Sequence, residues 1–120
     1  MKKTALIVED DERNRRLFRD LLSLKGFEVL EAGNGKEGVE TASAQRPDLI
    51  LMDIQMPVMD GMEAIRILKA DPGTRDIPIL AVTSYAMDEE KEKIRATGCD
   101  GYICKPFDTR EFLEWISRYL

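Results

Sequence analysis

The chain has 120 residues, which is enough for one domain of ordinary size and too short for two. Its formal charge is −5, from 18 basic and 23 acidic residues, which argues against nucleic acid as a direct partner because nucleic-acid-binding proteins normally carry a basic surface. No apolar run approaches the roughly 20 residues of a membrane span. We therefore expect a cytoplasmic protein with no membrane attachment.

The residue types present exclude several chemistries. The chain contains no histidine, which rules out Ser-His and Cys-His catalysis. Its two cysteines, Cys99 and Cys104, are five positions apart without a second pair, so we expect neither a zinc site nor a disulfide.

Hydrophobic periodicity and turn residues predict five strands, each followed by a helix. The predicted strands cover residues 4–8, 27–31, 49–53, 77–82 and 100–104, and the second is polar enough for a sheet edge. The predicted helices cover residues 12–25, 36–45, 61–70 and 86–97, and a fifth follows a capping sequence at 108–111. Strands that alternate with helices indicate a parallel sheet covered on both faces. The predicted fold class is therefore α/β, a doubly wound five-stranded parallel sheet.

The first and fourth predicted helices differ in the strength of their apolar faces. The first is predicted to bury one stripe, formed by Leu17, Phe18, Leu21, Leu22 and Leu24. Its other side is predicted to carry Arg13, Arg15, Arg16 and Arg19. In the fourth, Met87 and Ile94 are the only large apolar residues, so this helix should have low local stability. Asp11 and Ser84 are interpreted mainly as helix caps.

Polar side chains follow four of the five predicted strands. They are Glu9 and Asp10 after the first, Asp53 at the end of the third, Thr83 after the fourth and Lys105 after the fifth. Because parallel strands present their carboxyl ends at one edge of the sheet, these groups should converge there.

Converging carboxylates repel one another unless a proton or a cation joins them, and oxygen ligands without thiolate or imidazole favour Mg²⁺. Asp53 beside such a cation could attack phosphorus as a nucleophile. Lys105 would stand as a point charge against the phosphoryl oxygens, and Thr83 could donate its hydroxyl to one of them.

Five segments, read together, resemble the response-regulator receiver domain, the phosphoacceptor module of two-component signalling, over essentially the whole chain. They are residues 6–10 (LIVED), 51–57 (LMDIQMP), 60–61 (DG), 81–84 (AVTS) and 102–107 (YICKPF). The resemblance implies a flavodoxin-like (βα)5 fold with sheet order 2-1-3-4-5. It also implies one receiver domain over residues 1–120 with no output domain. In its short length the chain resembles single-domain cell-division regulators. Receiver segments of hybrid sensor kinases share much of the same set of motifs.

The resemblance implies a role for each site residue. Asp53 would accept a phosphoryl group from a phosphohistidine on a sensor histidine kinase or a histidine phosphotransfer protein. Glu9, Asp10, Asp53 and the main-chain carbonyl of Gln55 would hold Mg²⁺. Lys105 and Thr83 would contact the phosphoryl group. The chain would be a regulator and not an enzyme, with only Mg²⁺-dependent self-phosphorylation and autodephosphorylation.

Signalling would follow from a conformational switch. Tyr102 would follow Thr83 inward, although a half-buried tyrosine on a strand explains Tyr102 equally well. Helix four, strand five and helix five would form the face that meets a downstream protein target, with the chain a monomer or a phosphorylation-dependent dimer. Gln55 and Tyr85 occupy the positions at which this family tunes phosphoryl lifetime, and a bulky Tyr85 could slow hydrolysis.

Other functions fit the sequence less well. Residues 33–38 (GNGKEG) match G-x-G-x-x-G, but this dinucleotide-binding pattern follows the second strand and not the first, and a tight turn with positive φ would explain it. A flavin-binding protein of the same fold would need a hydroxyl-rich loop after the first strand. An aspartate-nucleophile phosphatase would carry a second aspartate where Gln55 lies. An output enzyme or a DNA regulator would need a further domain.

Overall fold

A five-stranded parallel sheet in the order β2-β1-β3-β4-β5 organises the chain, which confirms the predicted fold class and strand order. The computed structural model describes residues 2–56, 58–84 and 87–119. The strands are β1 (Thr4–Val8), β2 (Glu28–Ala32), β3 (Leu49–Asp53), β4 (Ile79–Thr83) and β5 (Gly101–Cys104). The helices are α1 (Glu12–Leu24), α2 (Gly35–Gln45), α3 (Gly61–Ala70), α4 (Asp88–Arg95) and α5 (Thr109–Ser117). None of the described helices is long and apolar enough to cross a membrane.

Two apolar layers cover the sheet, one on each face. Alternate strand residues point to opposite faces, so Leu6 and Ile50 pack under α2, α3 and α4, whereas Ile7 and Leu51 pack under α1 and α5. By the same alternation Asp53 belongs to the α1/α5 face, while Thr83 and Tyr102 belong to the face covered by α4. In β3 and β4, the four residues before the last one are buried, as a sheet with helices on both faces requires.

The apolar stripe of α1 is narrower than predicted. Phe18 and Leu22 are buried, but Leu17 is 44% exposed and Leu24 is 75% exposed. A helix that rests on a sheet can bury only the residues on the side facing it, and a stripe of five leucine and phenylalanine positions spans too wide an arc. The orientation of α1 on the sheet also leaves Arg15 and Arg19 partly buried. The prediction that these two arginines lie on the outer side of the helix was therefore wrong in part.

Helix α4 is held by fewer apolar contacts than the sequence suggested. Ile94 is its only buried residue in the described range, and Met87, which precedes it as N-cap, is 68% exposed. No side chain caps its first turn. The expectation of a weakly docked helix is therefore supported, although the predicted start at residue 86 falls outside the described residues.

The turn before α2 differs from the prediction. Among the described glycines only Gly26 and Gly98 have positive φ, so residues 33–35 do not need glycine for that reason. Gly35 is required because a Cβ there would overlap the carbonyl oxygen of Met59, and Gly38 because a Cβ would lie 2.8 Å from the Val8 side chain. Close packing of α2 against its neighbours thus explains these two glycines.

Candidate functional site

Strand β3 delivers Asp53 to the carboxyl edge of the sheet in a buried position. The strand is apolar and enclosed on both faces, and Asp53 itself is only 3% exposed. Helix α3 begins directly against this strand end, where the N–H of Gly61 donates to the carbonyl of Ile54 at 2.9 Å. A buried carboxylate is not explained by apolar packing, so the groups around Asp53 determine its charge and its chemistry.

Three carboxylates meet at this edge. Glu9, Asp10 and Asp53 each place one oxygen within 4.8 Å of the others. Glu9 is 1% exposed, whereas Asp10 is open to solvent, so the cluster is accessible from one side. The predicted convergence of the first and third strand ends is thereby observed.

Lys105 supplies positive charge to the cluster. Its Nζ lies 3.1 Å from Glu9 Oε1 and 3.6 Å from Asp53 Oδ1. The main chain helps to place it, since the N–H of Lys105 donates to the carbonyl of Thr83 at 2.6 Å. The Lys105–Pro106 peptide that follows is cis. One lysine against three carboxylates leaves the site with excess negative charge.

Burial and neighbouring charges shift the pKa values of Glu9, Asp10 and Lys105. Burial raises the pKa of Glu9, and the neighbouring Asp53 raises it further. Partial desolvation and the hydrogen bond to Glu9 raise the pKa of Asp10. Burial alone would lower the pKa of Lys105, but the charges of Asp53 and Glu9 outweigh it and leave that pKa above its ordinary value. The site therefore combines a protonated lysine with two carboxyl groups, Glu9 and Asp10, that take up a proton more readily than ordinary carboxylates.

The donor set of the cluster fits a hard cation. All three candidate ligands offer carboxylate oxygen, and the described part of the chain brings no thiolate to them. Oxygen donors with an open side suit Mg²⁺, which takes one or two carboxylates and keeps several waters.

Gln55 links this cluster to the β4 end. Its N–H donates to Asp53 Oδ1 at 3.3 Å. Its side-chain Oε1 accepts from the N–H of Ser84 at 3.0 Å and from the Ser84 hydroxyl at 2.7 Å. The interpretation of Ser84 as a helix cap was therefore wrong, because α4 begins four residues later and Ser84 binds across the site instead.

Thr83 and Tyr102 lie on the α4 side of the sheet. Thr83 is fully buried at the end of β4. Tyr102 pairs with Ala81, two residues before Thr83, and its ring is half-buried. The Tyr102 hydroxyl accepts a hydrogen bond from Arg95 Nη2 of α4 at 2.8 Å. Tyr102 is thus tied to α4 and not to the carboxylates.

Sequence reasoning missed two polar residues that support the site. Arg15 of α1 donates from Nη1 to the main-chain oxygen of Glu9 at 2.9 Å. Arg95 holds Tyr102, as described above. Arg15 was predicted to lie on the outer side of the first helix, and Arg95 was not singled out, because neither contact has a signal in the sequence pattern.

Two amides of the G-x-G-x-x-G segment are occupied by side chains of the same segment. The N–H of Gly33 donates to the Glu37 carboxylate at 2.8 Å, and the N–H of Glu37 donates to Asn34 Oδ1 at 2.9 Å. This arrangement is a helix-capping one, and it leaves these amides without a free direction toward a phosphate.

Comparisons with known proteins agree with this geometry. Residues 5–117 match the family described as Response regulator receiver domain. The polar-differentiation response regulator DivK of Brucella anthropi is 48% identical over 120 residues, which cover 100% of this chain and 98% of that protein. DivK of Brucella ovis is 46% identical with the same coverage.

Two solved structures are similar throughout. The chemotaxis protein CheY4 of Vibrio cholerae has a TM-score of 0.90 at 31% identity, with 100% of each chain covered. The receiver domain of the sensor histidine kinase PA1611 of Pseudomonas aeruginosa, described with a magnesium ion coordinated in its active-site cleft, has a TM-score of 0.90 at 33% identity, covering 99% of this chain and 98% of that one.

The fold and the acidic cluster thus define a two-component signalling module, and the chain belongs to the response regulator receiver domain family. It is a regulator and not an enzyme that turns over a substrate. Membership of this family implies interaction with a histidine kinase or a phosphotransfer protein.

Proposed function

We propose that Asp53 accepts a phosphoryl group from a phosphohistidine in a Mg²⁺-dependent reaction. The observation that carries this proposal is the cluster of Glu9, Asp10 and Asp53 with Lys105 against it. An oxygen of Asp53 attacks phosphorus, the P–O bond forms, and the P–N bond to the donor imidazole breaks. A small phosphodonor would serve in place of the phosphohistidine, and water would later hydrolyse the acyl phosphate.

The residues of the site divide the work of this transfer. Lys105 neutralises charge on the phosphoryl oxygens, and the Thr83 hydroxyl donates to one of them. Glu9, Asp10, Asp53 and the Gln55 carbonyl hold Mg²⁺, which, when bound, offsets the charge of the carboxylates and the incoming phosphoryl group. Burial of Glu9 and Asp53 keeps competing water off the inner side of the site.

The central test is the intact mass of the chain after incubation with a small phosphodonor. We expect one phosphoryl adduct that forms only with Mg²⁺ and that base removes, because an acyl phosphate is labile to base. The Asp53→Asn variant has the same size and should give no adduct. Failure of the wild-type chain to form an adduct while Mg²⁺ binds would reject the proposal, and an adduct on Asp53→Asn would place the phosphoryl group elsewhere.

Affinity for Mg²⁺ should depend on pH at values above the ordinary range of a carboxylate. Bound Mg²⁺ needs Glu9 deprotonated, and burial and Asp53 raise the pKa of Glu9. As the pH falls through this raised pKa, protons compete with the metal, so affinity is lost by up to about tenfold per pH unit for one displaced proton. Titration calorimetry at several pH values would measure the effect.

The Glu9→Gln variant provides the control for this titration. It cannot take up the proton, so its affinity should be weaker at neutral pH but change less as the pH falls. A wild-type affinity that stays constant until the pH reaches about 4.3, the ordinary pKa of glutamate, would contradict the prediction.

We propose further that the phosphoryl group biases the α4–β5–α5 face. Thr83 and Tyr102 lie on the sheet face that α4 covers, and one buried residue, Ile94, holds α4 there among the described residues. A few hydrogen bonds to the phosphoryl group, one of them from the Thr83 hydroxyl, would shift a weakly docked helix between two arrangements. Movement of Tyr102 would then exchange its hydrogen bond with Arg95 for contacts further inside.

Hydrogen exchange measures this switch directly. Amide exchange rates in α4 and β5 should change on phosphorylation, while those of α2 on the far side of the site should not. Exchange rates in α4 and β5 that are equal before and after phosphorylation would show that the signalling face lies elsewhere. A downstream protein, or a second copy of the chain after phosphorylation, would bind the altered face.

Phosphoryl lifetime is proposed to depend on Gln55, which touches both Asp53 and Ser84. The second residue expected to act on hydrolysis, Tyr85, lies outside the described residues.

A further inference from the structure

We propose that Arg15 is a positioning residue that orients the Glu9–Asp10 peptide, and with it two of the carboxylates proposed to bind Mg²⁺. This inference rests on the Mg²⁺-dependent function proposed above. Arg15 Nη1 donates to the main-chain oxygen of Glu9 at 2.9 Å in a partly buried place. This oxygen belongs to the peptide bond that joins Glu9 to Asp10. Because a peptide unit is planar and turns as one piece, the hydrogen bond restricts the orientation of the plane that contains the Cα atoms of both Glu9 and Asp10.

The two ligands need this support to different degrees. Glu9 is buried, and its own N–H donates to the carbonyl of Ala32 at 3.0 Å. Asp10 is exposed, so packing does not hold its side chain. The peptide plane that Arg15 holds, together with the hydrogen bond between the Asp10 and Glu9 side chains, therefore constrains where Asp10 presents its oxygen to a cation.

Arg15 is itself anchored at the sheet edge. Its Nε lies 3.6 Å from Glu31 Oε1 of β2, and the Arg15 side chain is 25% exposed. A chain of contacts thus runs from the edge strand through α1 to the metal cluster. Guanidinium suits this task, since its rigid fork can pair with a carboxylate and donate to a carbonyl at the same time.

The neighbouring Arg19 offers a matched control. It lies one turn further along α1 and binds the same Glu31 at 3.1 Å. In the part of the chain that the structure describes, no contact joins Arg19 to Glu9 or Asp10. Substitution of Arg19 therefore removes one positive charge and one ion pair with Glu31, as substitution of Arg15 does, but it leaves the hydrogen bond from Arg15 to the Glu9–Asp10 peptide intact.

Charge and position predict opposite effects on metal affinity. An arginine near a cation site repels the cation, so deleting its charge should raise affinity slightly. Deleting a hydrogen bond that orients metal ligands typically lowers affinity by 10-fold to 100-fold. The sign of the change thus separates the two explanations.

The experiment measures Mg²⁺ affinity of the whole chain by titration calorimetry, with Mn²⁺ binding by electron paramagnetic resonance as a second readout. We expect Arg15→Met to weaken binding about tenfold. Arg19→Met should bind as tightly as wild type or up to about twofold more tightly. Arg15→Lys keeps a donor for the Glu9 carbonyl and should recover most of the loss, and Glu31→Gln should give a loss smaller than that of Arg15→Met.

Several outcomes would overturn the inference. Equal affinities of Arg15→Met and Arg19→Met, or tighter binding by Arg15→Met, would show that Arg15 acts only through its charge. Failure of Arg15→Lys to recover affinity would also count against a donor role. If thermal unfolding shows that Arg15→Met does not fold, the affinity of Glu31→Gln becomes the test. Unchanged Mg²⁺ affinity in Glu31→Gln would then reject the inference, because Arg15 would have lost its ion pair without effect on the metal site. A wild-type chain that binds no Mg²⁺ would reject the proposed function and this inference together, whereas normal wild-type binding with unaffected variants rejects this inference alone.

Discussion

Replacing Lys105 by alanine is expected to slow phosphorylation of Asp53 about 100-fold, which is the usual effect of removing one charged donor from a developing oxyanion. The ammonium group lies 3.6 Å from Asp53 and 3.1 Å from Glu9, and its raised pKa keeps it charged throughout the neutral range. Among the described residues, these are the ion pairs that reach Asp53 and Glu9. Within the described ranges, no other basic side chain forms an ion pair with Asp53 or Glu9 that could replace it.

The same substitution should have the opposite effect on Mg²⁺ binding. The lysine competes with a metal ion for Glu9 and Asp53, so its removal leaves three carboxylates with no counter-charge and should raise Mg²⁺ affinity several-fold. Phosphorylation rates from intact mass, together with calorimetry, would show the divergence.

A charge-matched control is Lys36→Ala, which removes an exposed lysine outside the cluster and should change neither quantity appreciably. A Lys105→Ala variant in which the rate and the metal affinity fall together would indicate that the lysine only holds the cluster in shape. A rate close to that of wild type would remove Lys105 from the proposed transfer.

The sequence predicted those features of the site that depend on strands. Asp53 and Thr83 end apolar runs too short for surface helices, so their place at the sheet edge follows from hydrophobic pattern alone. Strand ends in a parallel sheet share one edge, so the approach of Glu9, Asp53 and Lys105 could also be foreseen. The order of the strands came from a resemblance and not from periodicity.

Features that depend on the rotation of a helix or the path of a loop could not be predicted. Leu17 and Leu24 have the spacing of core residues, but only the docking angle of α1 decides that they face solvent and that Arg15 reaches Glu9. Ser84 has the composition of a cap, yet the loop carries it to Gln55. Such contacts depend on how helices and loops are placed in the fold, and the pattern of a single sequence holds no information about that placement.

The start of α3 is a second place where one atom should have a large effect. A Cβ on Gly61 would overlap the carbonyl oxygen of Asp53 and would lie 2.8 Å from Ile54 Cα, and both are backbone atoms that cannot rotate away. The strand end and the helix would have to separate. We therefore expect Gly61→Ala to destabilise the fold by about 3 kcal/mol, at the upper end of the usual cost of overpacking.

A left-handed backbone conformation does not explain why this position is glycine, because among the described glycines only Gly26 and Gly98 have a positive φ. Alanine at such a position would ordinarily stabilise by about 0.4–1 kcal/mol through the unfolded state. Gly73→Ala tests that expectation, since Gly73 is exposed and a Cβ there would meet nothing nearer than 3.4 Å. Urea denaturation should thus give changes of opposite sign for the two variants.

The functional consequence follows from what lies against Gly61. The overlapped carbonyl belongs to Asp53, so relief of the contact must move this proposed phosphoacceptor relative to Lys105 and Glu9. Transfer chemistry tolerates such displacement poorly, because a shift of about 1 Å can cost about 100-fold in rate. Folded Gly61→Ala protein at low temperature should accordingly show slow phosphorylation of Asp53. Wild-type stability and rate in this variant would mean that α3 does not abut β3 as closely as described, and the placement of Asp53 would have to be revised.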